Sequence, residues 1–156
     1  MKGKPEVLKE LQAALTDELG AAHEYILHAE MCENWGHKGL AALTHKRAIE
    51  EMRHAEKLIE RLLFLDTVPD VQTMPKLLIG TDVEKQFAND LKAEKEAIAS
   101  YNRGIEVCRK AEDNASADLL KANLHDEEQH ADFLETQLSL IKELGMQNYL
   151  AQYTTE

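Results

Sequence analysis

Residues 51–54 read Glu51-Met52-Arg53-His54, and residues 127–130 read Glu127-Glu128-Gln129-His130. On a helix, a glutamate and a histidine three residues apart share one face, one turn apart, with both side chains aimed the same way. Each pair has a lone glutamate 33 residues upstream, Glu18 before Glu51 and Glu94 before Glu127. Shifting the first half by 76 residues lays Glu18, Glu51 and His54 on Glu94, Glu127 and His130. The same shift carries Tyr25 to Tyr101, Cys32 to Cys108, Leu15 to Leu91, Leu58 to Leu134 and Leu62 to Leu138. The spacing predicts two similar helical hairpins facing each other across a pseudo-twofold, with six metal-ligand side chains meeting inside a four-helix bundle. Two lone glutamates and two Glu-x-x-His pairs on four helices are the constellation of a di-iron carboxylate centre. One Glu-x-x-His is weak evidence; two at matched spacing are strong.

Composition agrees with an all-α chain. Only three prolines and seven glycines interrupt 156 residues, 30% of them charged and 44% apolar, which fits a single domain over residues 1–156. A net charge of −11 argues against nucleic acid as a partner, because the phosphate backbone would be repelled. Two cysteines make no disulfide framework; Cys32 and Cys108 could be neighbours across the pseudo-twofold, but buried thiols are the expected state. No apolar run reaches membrane-spanning length and the first residues lack the apolar core of a signal peptide, so a cytoplasmic, membrane-free protein is expected.

Along the chain, Leu8, Leu11, Leu15, Glu18, Ala22, Tyr25 and Ala29 recur at helical steps and predict a first helix from Pro5 to about Trp35. A glutamate within that apolar row must be paired, protonated or bound to metal. After a turn at Gly36–Gly39, a second helix is predicted over about Leu40–Leu65, with Leu43, Ala48, Glu51, His54, Ala55, Leu58 and Leu62 along or beside its inner face. Asp66–Thr81, with Pro69, Pro75 and Gly80, is too long for a hairpin and reads as a crossover running the length of the bundle. Asp82 is the expected cap of a third helix to about Glu112, and Ser116 of a fourth ending at Gly145. Residues 146–153 should form a short fifth helix that needs something to pack on.

In this reading Glu18 and His54 hold one iron, Glu94 and His130 the other, and Glu51 and Glu127 bridge, so that four carboxylates neutralise two Fe(II). Tyr25 and Tyr101 are expected to hydrogen-bond to the ligands. Met52 lies off the line of Glu51 and His54 and should point out of the bundle. Ile49, Met52 and Ile59 on the second helix, with Leu19, Ile26 and Trp35 on the first, form an outward apolar stripe that implies a subunit interface. A thioether there is also a haem ligand.

The whole chain resembles the bacterioferritins. The resemblance rests on Met1-Lys2-Gly3, Asn34-Trp35-Gly36, Glu51-Met52-Arg53-His54-Ala55, Ile59-Glu60-Arg61, Leu63-Phe64-Leu65, Asp126-Glu127-Glu128-Gln129-His130, Leu134-Glu135-Thr136 and Asn148-Tyr149-Leu150. It implies a ferritin-like four-helix bundle with one long crossover and a short C-terminal fifth helix, assembled as a 24-subunit cage built of dimers. It implies a ferroxidase, an enzyme that oxidises Fe(II) with dioxygen or hydrogen peroxide at Glu18, Glu51, His54, Glu94, Glu127 and His130 and stores ferric mineral inside. It implies haem b at each twofold interface, ligated by Met52 of both chains, and a bacterioferritin-associated ferredoxin as the electron donor for release. Asn34, Asp66 and Asp132 match residues lining an iron pore in some relatives. Where well-known members carry a histidine and an aspartate for an accessory inner-surface iron, this chain has Lys46 and Glu50, and a protonated lysine is no iron ligand. Two alternatives remain: a soluble di-iron oxidase or peroxidase of the rubrerythrin kind, and a haem-bridged helical electron carrier. The first would normally bring a cysteine-rich iron domain, and the chain has no Cys-x-x-Cys.

Overall fold

In the computed structural model, which describes residues 1–154, the helices are α1 (Pro5–Asn34), α2 (Lys38–Phe64), α3 (Val83–Lys110), α4 (Asn114–Leu144) and α5 (Met146–Ala151). α1 packs most closely on α2 and α3 on α4; the α1–α3 seam closes one side, and α2 and α4 meet least. Antiparallel α1 and α3 bring Lys4 at the start of one to Ala111 at the end of the other, where the lysine Nζ donates to the carbonyl. Apart from the start of α4, the ends fall within one or two residues of the sequence expectation, as helix ends commonly do.

Two apolar clusters occupy the two ends of the bundle. One gathers Val7, Leu11, Leu15, Leu58, Leu62, Ile105 and Leu120. The other gathers Cys32, Leu40, Phe87, Leu134, Ile141 and Tyr149. The free thiols Cys32 and Cys108 belong to different clusters, so they are not neighbours, and burial pushes each up to about 11. The short α5 finds its support through Tyr149, fully buried against Phe87, with its hydroxyl donating to Gln137 Oε1 at 2.7 Å.

Three expectations change. Asp113, not Ser116, caps α4: its Oδ1 accepts the Ser116 N–H at 3.0 Å, while Ser116 is buried in the first turn. Arg61 donates to Asp113 Oδ1 at 2.8 Å, which fixes that choice between two good capping residues. Leu43 is 42% exposed rather than at the inner face, and Leu19 is 8% exposed and belongs to the core rather than to an outward stripe.

The crossover is tied down by polar side chains of the helices it crosses. Glu24 Oε1 accepts the Leu78 N–H at 2.6 Å, His28 Nε2 accepts the Gly80 N–H at 3.0 Å, and Asn89 donates to the Leu78 carbonyl. His28 Nδ1 lies 2.9 Å from Asp90 Oδ1, both fully buried. Pro75 rests directly on α1 at Gly20, where a Cβ would overlap its ring.

Candidate metal centre

Between the two clusters lies a layer of charge. Glu18 on α1, Glu51 and His54 on α2, Glu94 on α3, and Glu127 and His130 on α4 are all buried. His54 Nδ1 lies 3.5 Å from Glu18, 3.3 Å from Glu51 and 3.0 Å from Glu127. His130 Nδ1 lies 2.9 Å from Glu51 and 3.6 Å from both Glu94 and Glu127. The two imidazoles stack almost parallel, 6.2 Å between centroids.

These atoms converge instead of pairing. Glu18 Oε2, Glu51 Oε1, Glu127 Oε1 and both Nδ1 atoms make no hydrogen bond of acceptable angle despite the short separations. Buried polar atoms left in this state are costly, and a cation between them removes the cost. The donors form two four-residue groups, Glu18-Glu51-His54-Glu127 and Glu51-Glu94-Glu127-His130, with the ligand atoms of each within 4.8 Å of one another. Glu51 and Glu127 belong to both. Carboxylate oxygens and imidazoles suit Fe(II) and similar divalent ions, so the donor set fits a pair of them.

The four glutamates are not equivalent. Burial, aided by the charges of Glu127 and Glu51, holds Glu18 well above the ordinary carboxylate range. Burial and a hydrogen bond with Glu127 do the same to Glu94. Burial would raise Glu51 and Glu127 too, but the neighbouring carboxyl groups and the close imidazoles of His54 and His130 overcome it and pull both down. Those carboxylates in turn raise both imidazoles against the effect of burial, His130 up to about 11. Without metal, protons are therefore favoured on Glu18, Glu94 and the two imidazoles, and the ionised form on Glu51 and Glu127.

Tyr25 and Tyr101 bond to the converging glutamates, crosswise. Tyr25 Oη donates to Glu94 of the other hairpin, and Tyr101 Oη to Glu18, with Asn123 donating to Tyr101 at 3.2 Å. Burial, then the carboxylate beside each, raises both phenols.

Two partners of the histidines went unread in the sequence. Asp126 Oδ2 lies 2.9 Å from His54 Nε2, and Glu50 Oε2 lies 3.3 Å from His130 Nε2. His54 Nε2 hydrogen-bonds to Asp126 and His130 Nε2 faces Glu50, an arrangement that turns each Nδ1 toward the place of a metal. The signal was present: Glu50 moved by the same 76 residues is Asp126.

The centre is approached from both sides. A pocket of about 140 Å³ between α1 and α3, roofed by Pro75–Leu78, is lined by Asp17, Glu18, Glu24, Glu94 and Glu96. On the α2–α4 side a pocket of about 270 Å³ reaches His54 and His130 past Glu50 and Asp126. Lys46 is exposed there, beside Arg47 and Glu50 in an adjoining pocket. Met52 stands apart from the centre, half-buried on α2 beside Ile59, with exposed Ile49 one turn before it and Ile26 exposed on α1. Asn34, Asp66 and Asp132 are exposed and not together: Asn34 ends α1, Asp66 follows α2 at the opposite end with the N-terminus 3.2 Å away, and Asp132 is in mid-α4. No helix among the described residues is long and apolar enough to cross a membrane.

Residues 8–144 match the ferritin-like domain family. Curated relatives named bacterioferritin are similar over nearly the whole chain. Those of Mycobacterium leprae and Brucella melitensis are each 44% identical, over 97% and 96% of this chain and 96% and 92% of the relative. That of Streptomyces coelicolor is 44% identical over 97% of this chain and 90% of the relative. With identity at this level over the full bundle and the ligand set in place, the chain belongs to the bacterioferritins of the ferritin-like family.

Proposed function

We propose that this protein is an iron-storage ferroxidase. The reading is carried by one observation: two buried four-ligand groups that share Glu51 and Glu127. Glu18 and His54 hold one Fe(II), Glu94 and His130 the other, and the shared glutamates bridge. Each Fe(II) gives up one electron. The pair reduces dioxygen with two protons to hydrogen peroxide, or hydrogen peroxide with two protons to two waters. Four carboxylates neutralise two divalent ions and stabilise the ferric pair further, which favours oxidation in place. Tyr25 and Tyr101 keep Glu94 and Glu18 oriented as ligands.

The protein would act in the cytoplasm as a 24-subunit cage of dimers that takes the ferric product inside. The half-buried Met52 on an otherwise apolar outer face fits a haem ligand, paired with the same residue of a second copy. Haem bound there supplies one-electron reduction, and a bacterioferritin-associated ferredoxin is the proposed donor for iron release. Asn34, Asp66 and Asp132 would line an iron pore only where separate subunits meet, because one subunit keeps them apart. Lys46 is no ligand while protonated, so no accessory iron is assigned beside Glu50.

Anaerobic Fe(II) titration of metal-free protein, followed by dioxygen and ferric absorbance, tests the reading. It should show saturation at two Fe(II) per subunit and a fast oxidation phase that vanishes in Glu127→Ala. Fast oxidation surviving in Glu127→Ala would overturn it.

A further inference from the structure

We propose that Glu50 is a positioning residue whose carboxylate, divided between His130 and Arg47, makes the two metal positions unequal, with the His130 side the weaker. This rests on the two-metal reading above. The pseudo-twofold gives each histidine an equivalent outer carboxylate, but the two are not held alike. Asp126 Oδ2 lies 2.9 Å from His54 Nε2. Glu50 offers its Oε2 to His130 Nε2 at 3.3 Å and accepts from Arg47 Nη1 at 2.9 Å with the same oxygen. A 3.3 Å contact is longer than the usual N–H···O bond. Arg47 is also seated on α4, its guanidinium 5.7 Å over the Phe133 ring, so it is a standing rival for that oxygen.

A carboxylate on the outer nitrogen of a ligating histidine fixes the ring and strengthens its inner nitrogen as a donor. A guanidinium on the same oxygen withdraws that charge. His54 is therefore the better-held and stronger ligand, and His130 the freer one. Exposure runs the other way, since the Asp126 side chain is 46% exposed and that of Glu50 31%. The shorter contact and the absence of a shared oxygen outweigh it. Glu50 also owes its role to length: an aspartate at position 50 would fall a methylene short of His130.

Co(II) titration of the metal-free cage, followed by its visible absorbance, separates the two positions. Wild type should take up two Co(II) per subunit in a tighter and a weaker step. Glu50→Ala and Glu50→Asp should weaken the second step roughly 10- to 100-fold and change the first by less than about threefold. Asp126→Ala should weaken the first step instead. Arg47→Ala should tighten the second step and narrow the gap, a direction that loosened packing would not produce. It also serves should a Glu50 variant misfold, which thermal unfolding would report. If wild type binds two Co(II) but Glu50→Ala and Arg47→Ala move both steps alike, or neither, the positioning role is overturned. If wild type does not bind two, the two-metal reading falls as well.

Discussion

Metal binding at this centre should displace protons. Without metal, Glu18 and Glu94 are held well above the carboxylate range by burial first and by neighbouring carboxylates next. His54 and His130 are held as imidazolium ions by the carboxylates around them, His130 up to about 11. Glu51 and Glu127 are ionised. Two divalent ions need all four carboxylates ionised and both Nδ1 atoms free. Binding must then expel protons from the two raised carboxyl groups and the two imidazoles, up to four per subunit. Each proton released makes the overall binding constant rise tenfold per pH unit, about 1.36 kcal/mol. Four give about 5 kcal/mol per pH unit for the pair of metals.

The sign follows from which form binds: acid weakens binding, and the steep dependence should persist from pH 6 to 8 because His130 alone would not release its proton until near 11. Anaerobic addition of Co(II) or Fe(II) to metal-free protein in unbuffered solution, with base uptake recorded at constant pH, measures the number directly. Release of one proton or none at pH 7 would refute the charge assignment, whatever the oxidation kinetics.

Four other outcomes are expected. In metal-free protein at neutral pH, Glu94→Gln should raise the unfolding temperature, because a raised carboxyl costs stability above its unfolded value near 4.5 and glutamine needs no proton. Glu127→Gln should lower it, at a cost on the order of 3 kcal/mol, since it strips a buried carboxylate from two imidazolium ions. Tyr101→Phe removes the donor to Glu18 and leaves Asn123 facing a ring edge; it should weaken Co(II) binding about tenfold, measured by titration. Met52→Leu conserves volume, so stability should change by less than about 1.5 kcal/mol while the haem absorbance band is lost; retained haem would require another axial ligand.

How much of this could be read from the chain depends on whether a residue's role is set on its own helix or across helices. The six converging side chains were legible because charge within an apolar stripe admits few explanations, and because Glu18, Glu51 and His54 repeat at one offset. Asp82 as a cap was legible for the same local reason. The choice between Asp113 and Ser116 was not: both are good caps, and Arg61, 52 residues from Asp113, decides it. Leu19 was misplaced because it lies about 100° round the helix from Glu18, and only the packed bundle shows it covered. The tyrosines were assigned to the ligands, yet the crossing of their bonds depends on α1 and α3 running antiparallel, which juxtaposes Tyr25 with Glu94 and Tyr101 with Glu18. The partners of the outer histidine nitrogens lay one residue before each Glu-x-x-His. A one-residue step is about 100° round the helix, so a single-helix reading turned them away from the site; the neighbouring helix is what they reach.

The distribution of protons also explains why such a layer can sit inside a folded protein before any metal arrives. Four bare carboxylates in one buried layer would drive the helices apart. Protons favoured on the two imidazoles and the two raised carboxyl groups, against the ionised Glu51 and Glu127, bring the layer toward neutrality. The apolar clusters at either end can then close over it unaided. Small zinc domains, by contrast, fold only with their metal. Stripping metal with a chelator should therefore leave the helical circular dichroism and the hydrodynamic size unchanged, and lower the unfolding temperature only by the binding energy lost. A chelated protein that lost its helices or its assembly would mean that the metal, and not the proton inventory, holds the centre of the bundle together.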